Sequence, residues 1–337
     1  MKNISVIILL LVMVALANLL IGSVMIPPKE ALMTILGMGD KNEIWSRIIF
    51  DHRLPRVITA VMAGSSLSIC GLYMQTFFRN PLAGPYVLGV SAGASLGIAV
   101  LVLGSGLFGA YFIVVTSKLS MVIASVLGAS LVFIVIIIFS KSVNDHTSLL
   151  IIGLMFSSAT SALVSVLQFF STSEDIQSYL MWTFGDLASV TNSELYILVP
   201  IILIGWIGSM FLVKTMNIYL LGDQYARNAG LNIVRSRYLI ISLTALMSGT
   251  VTAFCGPIAF IGLATPHIAR MIINDADHRK LLPYSAIIGS GIMLVCDIIS
   301  RLPGLPQTLP LNAVTSILGG PLVIYLIVKK NNLQQSF

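Results

Sequence analysis

Apolar residues in this chain run in long unbroken blocks, separated by short polar or glycine- and proline-marked intervals. Blocks of this kind match the roughly 20 apolar residues that a helix needs to cross a bilayer. They predict ten spans, at Ile4–Met25, Pro55–Phe77, Tyr86–Leu103, Leu119–Phe139, Leu149–Phe170, Leu195–Val213, Tyr238–Cys255, Ile258–Ile273, Leu282–Ser300 and Leu311–Val328. The expected fold class is therefore an all-α polytopic membrane protein of about ten transmembrane helices. The first block follows Lys2, as in a secretory signal, but it exceeds the roughly 7–15 apolar residues of a signal core and reads as a span.

One long interval stands apart. Lys214–Arg237 is polar yet keeps a helical spacing through Leu220, Leu221, Tyr225, Ala229 and Leu231, with Gly222 and Gly230 marking turns. Lys214, Arg227, Arg235 and Arg237 set four positive charges against Asp223, which reads as an amphipathic helix on a membrane face.

Composition agrees. Of the 337 residues, 57% are hydrophobic and 9% charged, far below the roughly 25% charged residues of a soluble domain. The net charge of +6 then reflects Lys and Arg in cytoplasmic loops, with no nucleic acid implied. With ten spans, the loops sharing a side with both termini carry twelve Lys and Arg against seven opposite, which puts the termini and Lys214–Arg237 in the cytoplasm. Three of the seven external positives, Arg47, Arg53 and Arg56, cluster at the start of the second span, in IWSRIIFDHRLPR, and Arg301 closes the ninth. Interfacial anchoring and a docking patch for an acidic partner both fit such arginines.

Gly89, Gly93 and Gly97 recur at every fourth position and predict close helix packing. Their segment GVSAG also matches the G-x-S-x-G nucleophile elbow, but here it opens a membrane helix, which speaks against a hydrolase at Ser91. Ser157, Ser161, Ser165 and Gln168 continue a mild polar line below Gly153, and Asn312, Thr315, Ser316 and Gly319 offer a similar face on the last span. Such faces suit helix packing or a wetted translocation path. Cys70, Cys255 and Cys296 sit singly in apolar runs, and the four histidines are scattered, so neither a disulfide nor a metal site is expected. Asp297 is the one acid well inside a predicted span, and Arg301 lies one helical turn away to neutralise it. An ion-coupled secondary transporter usually needs more intramembrane charge, although it stays the alternative reading. No G-x-x-x-x-G-K-[ST] occurs, so any ATP is hydrolysed by a partner.

The blocks RLPRVITAVMAGSSLSICGLYMQTFFRNPLAGPYVLGVSAGASLG, LLGDQYARNAGL, GPIAFIGLATPHIARMI, DHRKLLPYSA and LPLNAVTSILGGPLVIYL carry a resemblance, in order, from about Arg53 to Lys329. They resemble the permease subunits of type II ATP-binding-cassette importers for iron-siderophores, haem and cobalamin, the FecCD-like family. The resemblance implies one transmembrane permease domain over residues 1–337, multi-pass in the inner membrane, with ten helices, no cofactor, no metal and no catalysis of its own. It implies two cytoplasmic ATPase subunits, a second permease subunit as a homodimer, surrounding lipid and an extracytoplasmic substrate-binding protein. The cargo it implies is an iron chelate first, with haem or cobalamin next.

Residue by residue, the resemblance assigns ATPase coupling to Leu220, Leu221, Gly222, Ala226, Arg227, Gly230 and Leu231, within coupling helices at about 214–235. It assigns binding-protein docking to Arg53, Arg56 and Arg301. Asn80, Leu82, Thr147 and Ser148 match a cytoplasmic gate, with Thr147 or Asp145 as a helix N-cap the competing reading. The serine line with Gln168 is the expected path. Thr308-Leu309-Pro310 and Gly84 depart from the family's usual acidic residues at those places.

Overall fold

The computed structural model describes residues 2–22, 24, 26–35, 43–104, 118–142, 146–301 and 308–329. Among them the regular structure is helical throughout. Helices α1 (Lys2–Leu20), α2 (Pro28–Ile35) and α3 (Glu43–Arg47) lead through a π-helical turn, Ile48–Arg53, into α4 (Leu54–Phe77). A 3-10 turn, Pro85–Leu88, precedes α5 (Val90–Leu103). There follow α6 (Lys118–Ser142), α7 (His146–Phe170), α8 (Ser173–Thr183), α9 (Asn192–Tyr219), α10 (Asp223–Asn228), α11 (Ile233–Cys255), α12 (Ile261–Ile273), α13 (His278–Ser300) and α14 (Leu311–Lys329).

Among the described residues, six helices are long and apolar enough to cross a membrane, and four shorter apolar ones, Ile4–Leu20, Val90–Leu103, Ile261–Ile273 and Leu311–Tyr325, lie where the remaining spans were expected. Beyond the expected elements stand the short helices α2, α3 and α8. In α8 the Thr172 side chain accepts the Asp175 amide at 3.3 Å and caps the first turn.

Helix α4 is the centre. The span that contains it is 83% buried, and α13, α12, α9 and α11 pack around it. Small residues permit this: Gly64 meets the Gly289 backbone on α13, and Gly71 meets that of Gly262 on α12, so closely that a methyl group at either glycine would overlap the facing carbonyl. Where lipid supplies no hydrophobic drive between helices, such backbone contact is what holds them. Gly93 and Gly97 do the same for α5 against Gly128 and Ala124 of α6, as the four-residue spacing predicted. Gly89 packs instead against Gly153 and Ser157 of α7, and with φ +69° it turns the chain from the 3-10 segment into α5.

By contrast α6, α7 and α9 bury only 22%, 22% and 28% of their span windows and hold Leu127, Phe169 and Phe211 outward. Cys70, Cys255 and Cys296 form no disulfide and are buried in the core, where they act as filler.

Candidate functional site

The interval Lys214–Arg237 is not one amphipathic helix. Lys214 to Tyr219 are the last residues of α9, α10 covers only Asp223–Asn228, and Asn232 caps α11 by accepting the Arg235 amide at 2.9 Å. Helical spacing continues through the glycines in the sequence, but the backbone does not: Gly222 stands at φ +108° and Gly230 at φ +81°, where L side chains are strained. The result is a short helix between two glycine turns. Ala226 is fully buried in a core with Met216, Tyr219, Phe77 and Ile233, and the Leu231 amide bonds its carbonyl at 3.0 Å. Tyr225 and Arg227 are exposed on α10 and Leu221 in the turn before it, while Leu220 and Leu231 are half-buried. Ala226 anchors the helix, Tyr225 and Arg227 form its outward face, and Leu221 stands exposed just before its first glycine turn.

Near this end, α4 runs into a tight turn. The Asn80 carbonyl accepts the Ala83 amide at 3.0 Å and its side chain the Leu82 amide at 2.9 Å, which holds the turn and leaves Leu82 exposed. Arg79, at φ +47°, reaches back to the Tyr219 carbonyl at 3.4 Å and ties the turn to the end of α9. Ser148 lies in the first turn of α7. Thr147 falls inside that helix and is not its N-cap, and its side chain lies outside the described residues, as does Asp145.

On α7 the Ser157 hydroxyl donates to the Gly153 carbonyl and the Ser165 hydroxyl to the Ser161 carbonyl, each at 3.0 Å. Ser161 and Ser165 are exposed; Ser157 and Gln168 are half-buried. The outer part of the serine line is thus not used for packing within this chain. The similar face on α14 is: Asn312 accepts the Ala259 amide at 3.2 Å and Gly319 abuts Phe260. Ser91, buried, faces the Thr252 hydroxyl of α11 at 3.3 Å, a contact between helices.

The expected docking arginines are placed differently from a surface rim. Arg53, Arg56 and Arg301 are 4%, 8% and 8% exposed. Arg56 Nε donates to Asp297 Oδ1 at 2.6 Å and Arg301 Nη2 to Asp297 Oδ2 at 2.6 Å, so Asp297, fully buried, is gripped from both sides. Asn18 of α1 completes the cluster by donating to Asp297 Oδ2 at 3.0 Å and accepting from Arg301 at 2.7 Å. Arg53 donates to the carbonyls of Leu19 and Leu20 at 2.7 and 2.9 Å and to that of Val24 at 2.5 Å, closing the open end of α1. The physical reason is the cost of burying Asp297 unpaired, which draws the guanidinium groups inward. The i, i+4 pairing with Arg301 was visible in the sequence; the grip by Arg56 and Asn18 was not. Nearby, Lys29 and Arg47 are exposed.

A second polar cluster is not foreshadowed by any motif. His278, fully buried at the start of α13, has its backbone N–H and ring Nδ1 at 2.8 and 2.9 Å from Asn217 Oδ1, and its Nε2 2.8 Å from Thr76 Oγ1. Asn217 Nδ2 donates to Asp277 Oδ1 at 2.6 Å. The Asp277 carboxyl is held below the usual carboxylate range, chiefly by the Arg279 backbone N–H and also by Asn217. The Asp275 carboxyl is lowered likewise, first by the Lys280 side chain that it pairs with. A polar Asn near the end of an apolar block was the available signal.

Residues 9–329 match the FecCD transport family. The hemin transport system permease protein of Yersinia pestis is 31% identical over 325 residues, covering 96% of this chain and 94% of that one. The vitamin B12 import system permease protein of Klebsiella pneumoniae is 32% identical over 323 residues, covering 95% and 92%. A transporter described as of metal-chelate ABC type, solved in an inward-facing conformation, superposes with TM-score 0.85 at 28% identity, covering 97% of this chain and 99% of that one. A family match over nearly the whole length, on an all-helical fold without a nucleotide motif, makes the protein a non-catalytic, multi-pass permease subunit of an ABC transporter, and the chain belongs to the FecCD transport family.

Proposed function

We propose that the chain is one transmembrane domain that forms half of the translocation path of an ATP-driven importer for an iron chelate, with haem or cobalamin as other cargo. The observation that carries this is α10, a glycine-bounded helix anchored by Ala226 and presenting Tyr225 and Arg227 outward, with Leu221 exposed in the turn before it, on a chain with no P-loop. Such an element suits a separate ATPase that pushes on a rigid lever. The charge balance of the loops supports placing this end, with both termini, in the cytoplasm of an inner-membrane protein. Two ATPase subunits, a second copy of this chain and lipid around α6 and α9 make up the assembly. Ser161 and Ser165, exposed on α7, would then line the path between the copies, with Asn80, Leu82 and Ser148 at its cytoplasmic mouth.

At the opposite end an extracytoplasmic binding protein delivers the cargo. Lys29 and Arg47 are exposed to meet its acidic residues, while Arg53, Arg56 and Arg301 must first release their internal partners. The likeness to a transporter of metal-chelate type supports a metal chelate as cargo, and the hemin and vitamin B12 permeases supply the other cargoes.

The test is reconstitution in liposomes with a candidate ATPase and the binding protein. Uptake requires ATP and survives an uncoupler; uptake that ignores ATP and collapses with the uncoupler would establish ion coupling instead. Gly222→Trp or Ala226→Glu abolishes ATPase association or uncouples hydrolysis from transport, with cargo selection unchanged.

A further inference from the structure

We infer that His278, Asn217 and Thr76 form a positioning relay that carries displacement of α10 to the gate turn at Asn80. The inference rests on the coupling role proposed above for α10 and adds the route inside the protein.

The links run from one helix end to the next. α10 follows the end of α9 by a glycine turn, and Asn217 lies in the last turn of α9. The Asn217 amide donates Nδ2 to Asp277, so its Oδ1 acts as acceptor for both the backbone N–H and the ring Nδ1 of His278. Those partners require a proton on Nδ1, and the other ring nitrogen meets Thr76 on α4. Thr76 and Gln75 form the last turn of α4, and their carbonyls accept the amides of Arg79 and Asn80 at 3.2 and 3.1 Å. Gln75 is itself fixed, accepting from Arg270 at 2.7 Å and donating to the Leu263 carbonyl at 3.0 Å. Three helix ends and the gate turn thus hang on one buried set of directional bonds.

Apolar contacts such as Phe77 against Tyr219, with ring centroids 6.0 Å apart, tolerate sliding. Hydrogen bonds weaken steeply outside a narrow range of distance and angle. A small shift of α9 is therefore passed on by His278 as a shift of α4 in a fixed direction, rather than absorbed. A relay of this kind is established only by coupling energies between its members.

The experiment uses the full chain assembled with its ATPase in liposomes, with Leu82→Cys as reporter. The native cysteines are buried, so the introduced thiol is the accessible one. Its reaction rate with a water-soluble maleimide is compared without nucleotide and with ATP plus vanadate. His278→Leu keeps the bulk and removes both ring bonds. Thr76→Val keeps the shape and removes only the hydroxyl, so it serves where His278→Leu does not fold, and Thr76→Ser restores the bond. With the ATPase still bound, both disruptive variants lose the nucleotide dependence by about fivefold or more, Thr76→Ser regains it, and His278→Leu/Thr76→Val is no worse than either alone. A nucleotide response equal to the parent's in Thr76→Val, or single effects that multiply, overturns the relay. If the parent itself ignores nucleotide, or the ATPase fails to co-purify, the coupling role of α10 falls and takes the relay with it.

Discussion

Asp297→Ala separates an internal clamp from a surface rim, because it removes the one carboxylate held by both Arg56 and Arg301. The side chains of these arginines are 10% and 6% exposed and that of the aspartate 0%. Deleting one partner of such a pair leaves uncompensated charge out of water, which costs about 3–5 kcal/mol, whereas an exposed pair contributes about 1 kcal/mol or less. Asn18 would lose its acceptor too, loosening α1 from α13. Equilibrium unfolding in detergent micelles titrated with dodecyl sulfate, followed by tryptophan fluorescence, measures the difference. The triple replacement Arg56→Met/Asp297→Leu/Arg301→Met should recover most of the loss, since it removes the charges together. A cost for Asp297→Ala within about 1 kcal/mol of zero would mean that water reaches the arginines and would return them to the docking surface.

Gly71→Ala places a methyl group on the Gly262 carbonyl and should destabilise by about 1–3 kcal/mol in the same titration. Gly291→Ala meets only Leu11 Cδ1 at 3.9 Å and should be neutral or stabilising by up to about 1 kcal/mol, as alanine favours helix. Because the folded-state carboxyl of Asp277 titrates below its unfolded value, its contribution is full above the ordinary carboxylate range and is lost as pH falls through the depressed value. The protection of the Arg279 amide, bonded to Asp277 Oδ1 at 2.9 Å, measured as its exchange rate relative to that of the same amide in an unfolded peptide at each pH, should therefore fall in acid, and Asp277→Asn should flatten that dependence.

The long apolar helices were legible because membrane helices are written as blocks about 20 residues long. The short helices α2, α3 and α8 leave no such block, and α8 is set by a threonine cap rather than by hydropathy. At Lys214–Arg237 the two signals diverged: hydrophobic spacing, which records only which side chains share a face, suggested one helix, whereas Gly222 and Gly230 marked the turns where φ is positive and the helix breaks. Arg53, Arg56 and Arg301 show a different limit. Charge counting finds cations near a membrane boundary, but whether they face water depends on partners 241 and 279 residues apart along the chain, as in Arg56 to Asp297 and Asn18 to Asp297. The exposed serines of α7 lie beyond sequence reasoning for a related cause: packing and path use the same small polar residues, and only the neighbouring helix decides between them.

The glycine contacts also say where the protein can bend. α4 meets α12 and α13 backbone to backbone at Gly71–Gly262 and Gly64–Gly289, and α5 meets α6 likewise at Gly93–Gly128, so neither group has slack to absorb a push. Packed interiors transmit displacement instead of damping it. An ATP-driven shift of α10 should then tilt α4, α12 and α13 as one body against α5, α6 and α7, by the small sliding between packed helices that transporters use. Spin labels at Met271→Cys and Val295→Cys, both exposed on the first group, should keep their separation when nucleotide binds. Labels at Met271→Cys and Leu154→Cys, which join the two groups, should change theirs. A change within the first pair as large as that between the groups would place the flexing inside the glycine-packed core and refute the rigid-body account.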